Sequence, residues 1–156
     1  MTGTVIGLFT TPGKGQAMVE HDRIDAIAGS GLAGDRYALG MGFYSAKPLP
    51  SGAREITLIE QEALDEIQTT SGIVLTPLEC RRNVVTRNIR LHDLIDKRFR
   101  IGAVVCEGVR DCPPCAHLEE LTGKAVMKPM ARIGGLRANI LTGGSINAGD
   151  RIEEVK

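Results

Sequence analysis

Ala103-Val104-Val105-Cys106-Glu107-Gly108-Val109-Arg110-Asp111-Cys112-Pro113-Pro114-Cys115-Ala116-His117-Leu118 runs from an apolar strand into a C-x-x-C turn and then a short helix. The β-branched run 103–109 has strand character. Proline is favoured in the first turn of a helix, where its missing N–H costs nothing. Glu119-Glu120-Leu121-Thr122-Gly123 then reads as one or two helical turns stopped by glycine. Cys115 is therefore expected at or beside a helix N-terminus. Orphan N–H groups and the positive dipole end favour an anion there. A thiolate is such an anion, so the pKa of Cys115 is expected to fall and its nucleophilicity to rise. Arg110 pushes in the same direction.

Other readings of the pair stay open. A cysteine in a strand–helix corner is often a small buried hydrophobe. A C-x-x-C can be a redox pair, but that motif normally follows a strand in a βαβ pattern, and no such pattern is found. It can also be half of a zinc site with His117 as third ligand. A closed structural zinc site needs four ligands, and Cys80 and Cys106 stand isolated in the chain.

Size and composition bound the function. The chain has 156 residues, which suits one domain, 1–156, with a real core. Its 42% hydrophobic and 24% charged residues are ordinary for a globular protein. No apolar run is long enough to span a membrane, and the N-terminus lacks a basic-then-apolar signal. Four cysteines without such a signal point to a cytoplasmic protein with reduced thiols. The 19 basic and 19 acidic residues cancel, which argues against a general grip on nucleic acid. Aromatics are 3%, too few for a base-stacking surface. The 19 glycines and 7 prolines predict many turns between short strands.

Outward from the central stretch, strands are expected at residues 4–9, 17–20, 24–28, 55–59, 99–101, 138–141 and 151–155. Residues 60–70 form the best helix: Ile59, Ala63 and Ile67 recur at a spacing of four with Leu64 beside them, and Ser71-Gly72 ends the run. Its charges read as a solvated face. Gly31 and Gly34 flank Leu32 and allow close backbone approach, with Asp35 and Arg36 at the exit; the plain alternative is a turn with a solvated ion pair. Residues 40–53 read as a surface loop and a candidate lid. Cys80-Arg81-Arg82-Asn83-Val84-Val85-Thr86-Arg87 is a strand entered through two arginines and an asparagine. Arginine forks fit phosphate, and Asn adds a directional donor and acceptor. The competing reading is an edge strand carrying protective charge. Leu91-His92-Asp93-Leu94 is a turn or short helix in which His92 caps or faces solvent, and residues 145–150 form a turn. The expected fold is mainly β: a closed or partly open β-barrel of short strands with one or two peripheral helices.

The chain resembles the MOSC domain family, named for the C-terminal domain of molybdenum cofactor sulfurase. The matching segments are Gly31-Leu32-Ala33-Gly34-Asp35-Arg36-Tyr37, Ile56-Thr57-Leu58-Ile59-Glu60, Arg81-Arg82-Asn83-Val84-Val85-Thr86 and Phe99-Arg100-Ile101-Gly102. They continue in Cys112-Pro113-Pro114-Cys115-Ala116-His117-Leu118-Glu119, Gly134-Gly135-Leu136-Arg137-Ala138 and Gly144-Ser145-Ile146-Asn147-Ala148-Gly149-Asp150. Two departures stand out. Asp96-Lys97 occupies a position where the family often has a glycine turn, and Ile133 separates Arg132 from Gly134-Gly135.

The resemblance implies a barrel and one essential cysteine, which maps onto Cys115 as catalytic residue and as molybdenum ligand. It implies that Arg81, Asn83 and Arg110, with Arg82, Asp35 and Arg137, hold the phosphate of the molybdenum cofactor's pterin (molybdopterin). One function then expected is a cofactor module that reduces small N-hydroxylated compounds with partner electron-transfer proteins. The alternative is a sulfur carrier, with Cys115 taking sulfane sulfur as a persulfide from a cysteine desulfurase for metal–sulfur cluster or cofactor assembly. Pyridoxal phosphate (PLP) would belong to that partner enzyme. A structural Cys112/Cys115 pair, as disulfide or zinc site, is the non-catalytic possibility.

Overall fold

The computed structural model describes residues 2–13, 15–39, 55–114 and 116–156. Seven strands close on themselves in the order β11-β7-β8-β9-β5-β6-β1, with β1 (Thr2–Thr10) pairing back to β11 (Arg151–Glu154). The nine residues of β1 make this possible. Thr2–Thr4 pair with β11, Thr4–Leu8 with β6 (Val84–Arg87), and Leu8–Thr10 with β2 (Val19–His21). A bulge between Val5 and Gly7 turns the strand from one partner to the next. Closure leaves those seven strands with no open edge.

The remaining barrel strands are β5 (Ile56–Glu60), β7 (Arg98–Ile101), β8 (Val104–Asp111) and β9 (Leu136–Thr142). β5 and β6 pair in parallel, joined through helix α1 (Gln61–Ser71), while the other barrel pairings are antiparallel. A second sheet of order β10-β3-β4 uses β3 (Arg23–Ile27), β4 (Gly31–Leu32) and β10 (Gly144–Asn147). Strand β10 corrects the sequence expectation of a turn there: Ser145 and Ile146 lie opposite Asp25 and Ile24. A four-residue strand containing Gly and Asn carries too little periodicity to be seen alone, and its partner lies at the other end of the chain.

Two cores follow from strand alternation. Leu58, Val84, Phe99, Ile101, Leu136 and Ile152 fill the barrel. Their neighbours Ile59 and Val85 point outward and join Phe9 in a second core against Ala63, Leu64 and Ile67 of α1. Leu118, Val126 and Met130 complete that outer layer. Residues Ile56–Ile59 are accordingly all buried, Thr57 included: β5 is covered on both faces. Helix α1 ends where the sequence places its stop, at Gly72, whose φ of 73° lets its N–H reach Gln68 O. Asp96, at the family's glycine turn, takes the left-handed conformation itself with φ 64°, which Asp tolerates better than most residues. Among the described residues no helix is long and apolar enough to cross a membrane. The candidate lid at residues 40–53 lies outside the described residues.

Candidate functional site

The predicted polar residues gather on the outer face of the barrel, where β5 and β6 begin. Asn83 anchors this belt. Its side-chain oxygen accepts from Thr57 N and Thr57 Oγ1, both at 3.1 Å, and its Nδ2 donates to Phe9 O at 3.1 Å. One fully buried amide thus ties β1, β5 and the entry to β6. Thr57 is a site residue the sequence reading missed; a threonine in an apolar strand signals only β-propensity until its partner is known.

Asp35 is fully buried and accepts from Thr11 N at 3.1 Å, Tyr37 N at 3.4 Å and Arg36 Nη1 at 3.1 Å. The alternative of a solvated ion pair does not hold: the pair is buried, with Arg36 6% and Asp35 0% exposed at their side chains. Arg36 also donates from Nη2 to Arg81 O at 3.1 Å, contacts Met18 Sδ at 3.6 Å, and lies 4.7 Å from the Tyr37 ring centroid. It holds the turn that carries the next arginine.

The two arginines at the start of β6 have different tasks. Arg82 is buried and spends its guanidinium on main-chain carbonyls: Nε on Gly134 O at 2.8 Å, Nη1 on Cys80 O at 3.2 Å, and Nη2 on Cys112 O at 2.9 Å and Pro113 O at 3.4 Å. It clasps the C-x-x-C segment to the Gly134-Gly135 turn. Cys112 N completes the clasp by donating to Gly135 O at 2.8 Å. Glycine is required at both places, because a Cβ on Gly134 would collide with Cys112 O and one on Gly135 with Leu58 O. Arg82 is thus built as a positioning residue, where the sequence suggested a phosphate ligand.

Arg81 has a left-handed backbone (φ 63°) and a half-buried side chain whose Nη1 donates to Gln16 O. Burial, and then the charge of Arg36, pull its pKa down to about 10 against the opposing pull of Tyr37 and Asp35. It lines a cavity of about 380 Å³ with Met18, Leu78 and Leu121. Arg137 is buried on β9, in register with Thr57 on one side and the exposed Arg110 on the other. Thr11 Oγ1, beside Asp35, is buried without a hydrogen-bond partner among the described residues.

Cys115 lies outside the described residues. The chain on either side is placed: Cys112 is buried beneath the clasp, and helix α2 (Ala116–Thr122) begins at the following residue. That helix has seven residues and ends before Gly123, the two turns expected from the sequence; a helix this short has a weak dipole. Cys80 and Cys106 are buried in the two cores. Burial raises both thiol pKa values, that of Cys106 to about 12. Among the described residues no three His, Cys, Asp or Glu side chains gather as a metal site.

A closed barrel carrying a clasped cysteine loop beside a belt of arginines defines a class of small β-barrel proteins with a polar site on the outer wall. The MOSC domain profile matches residues 34–153, and the chain belongs to the MOSC domain family. No curated protein sequence matches it. Solved structures share the fold. The YuaD protein from Bacillus subtilis is 18% identical with a TM-score of 0.81, over 97% of this chain and 94% of that one. YiiM from Geobacillus stearothermophilus is 12% identical with a TM-score of 0.69, over 99% of this chain and 75% of that one. YiiM from Escherichia coli is 17% identical with a TM-score of 0.68, over 100% of this chain and 70% of that one.

Proposed function

We propose that this MOSC protein binds the phosphate of a molybdenum-bearing pterin through Arg81, Arg110 and Arg137, with the Cys115 thiolate as the protein's ligand to the metal. The observation that carries the reading is Arg81. Its guanidinium is half-buried beside that of Arg36, and its positive charge is costly enough to depress the pKa. A bound anion relieves that cost, and a guanidinium fork suits phosphate. Thr11 Oγ1, without a partner among the described residues, and Arg110 and Arg137, in register with each other on β8 and β9, are the further donors of this reading. A thiolate suits a soft, high-valent metal. When bound, the group would supply two-electron chemistry towards small N-hydroxylated substrates, with electrons from a partner protein. The residues of this chain hold the phosphate, set the cysteine loop through Arg82 and keep the Arg36–Asp35 pair dry.

The test is molybdenum and pterin content of protein purified from a pterin-competent host. The wild type should carry both near stoichiometry. Cys115→Ser should lose the metal, and Arg81→Ala should lose metal and pterin together. Protein that carries neither, but gains the mass of one sulfur atom at Cys115 when incubated with a cysteine desulfurase and cysteine, would replace this reading by the sulfur-carrier one.

A further inference from the structure

At the opposite ends of β5 and β6 the surface opens into a cleft of about 550 Å³, which meets the clasped cysteine loop at Asp111 and Gly135. One wall carries Glu60, which closes β5, and Glu66 on α1; Arg90, which also lines the cleft, pairs with Asp93 at 3.9 Å. The facing loop brings Arg132, the residue displaced from its expected glycines by Ile133. Leu91 and Ile133 give the cleft an apolar floor. At the rim, His92 Nδ1 lies 3.0 Å from Asp111 Oδ1. The sequence reading assigned none of these residues to a ligand.

We propose that this cleft binds a small aliphatic α-amino acid, its ammonium on Glu60, Glu66 and His92, its carboxylate on Arg132, and its side chain against Leu91 and Ile133. The argument is one of matching donors to acceptors. A carboxylate only accepts, so the bond to Asp111 calls for the Nδ1–H tautomer of His92, in which Nε2 is an acceptor. Glu60, Glu66 and His92 then offer three acceptors for the three N–H bonds of an ammonium. A guanidinium takes a carboxylate bidentately. Glu66 and Arg132 have no ion-pair partner among the described residues. Among the described residues Glu60 accepts from Leu91 N at 3.3 Å, and burial, opposed by that bond and by the charge of Arg90, raises its pKa. A ligand of one sign leaves one wall uncompensated; a zwitterion satisfies both. The volume lies within the range of small-molecule sites.

The proposal uses no chemistry of Cys115, so its test separates from that of the proposed function. Ligand-observed NMR at pH 7 would compare L-valine and L-leucine with their methyl esters and N-acetyl derivatives. We expect binding by the free amino acids and a loss of about tenfold or more when either charge is blocked. Glu60→Gln and Arg132→Met should each weaken binding by a similar factor, whereas Cys115→Ser should leave it unchanged. Gln still accepts from Leu91 N, and Arg132 is exposed, so both variants should fold. No binding by the free amino acids would overturn the proposal. So would binding that survives esterification, or that persists in both cleft variants.

Discussion

The belt at the start of β5 and β6 and the cleft at their ends are built on the same two strands, yet they use polar residues in opposite ways. In the belt, Asp35, Arg82 and Asn83 are buried and spent on protein partners. In the cleft, His92 and Asp111 keep 66% and 53% of their side-chain area in water. A buried polar group costs free energy unless every partner is present. Belt residues should therefore register first as stability, and cleft residues as binding.

Asp35→Ala should have the largest effect. It leaves the Arg36 guanidinium buried without its carboxylate, at a cost of about 4 kcal/mol in denaturant unfolding. Arg82→Ala comes next, at about 3 kcal/mol, because the carbonyls of Cys112 and Gly134 lose a charged donor. Arg82→Lys keeps the charge but not the fork, so it should recover only part of that stability while loosening the cysteine loop. Equal unfolding midpoints for wild type and Arg82→Ala would break the contrast between the two regions.

Glu60→Gln should act in the opposite direction. Burial holds the Glu60 carboxyl above its ordinary pKa of 4.5, helped by Glu62 and Asp93 and opposed by Leu91 N and Arg90. The folded state thus binds this proton more tightly than the unfolded chain does. The stability it lends is full below pH 4.5 and is lost as pH rises through the folded value. The neutral variant should therefore melt at a higher temperature than wild type at pH 7, with the gap closing near pH 4. A lower melting temperature at pH 7 would show that the Glu60 charge is already compensated in the free protein. His92→Ala, at the exposed rim, should change stability by less than about 0.5 kcal/mol.

Much of this could be read in advance. The strand from Val104, the helix stop at Gly72 and the closing strand from Arg151 follow from local periodicity and turn chemistry, which act over a few residues. The grouping of Asp35, Arg81, Asn83 and Arg137 came from resemblance, and the fold does bring them to one face. Their division of labour was not legible. Arg81 and Arg82 are adjacent and chemically identical, and only the approach of the Cys112 and Gly134 carbonyls makes one a clasp and leaves the other beside Arg36. The cleft was equally hidden, because Glu60, His92, Asp111 and Arg132 come from four separate segments with no shared motif.

By itself the sequence determined the strand-rich pattern, the balanced charge and the membership of a barrel family, because composition and short-range periodicity are properties of the chain. Only the tertiary structure decided which polar residues are buried and which are free to meet a ligand. Burial depends on what packs against a side chain, and those partners lie on segments far apart in the chain.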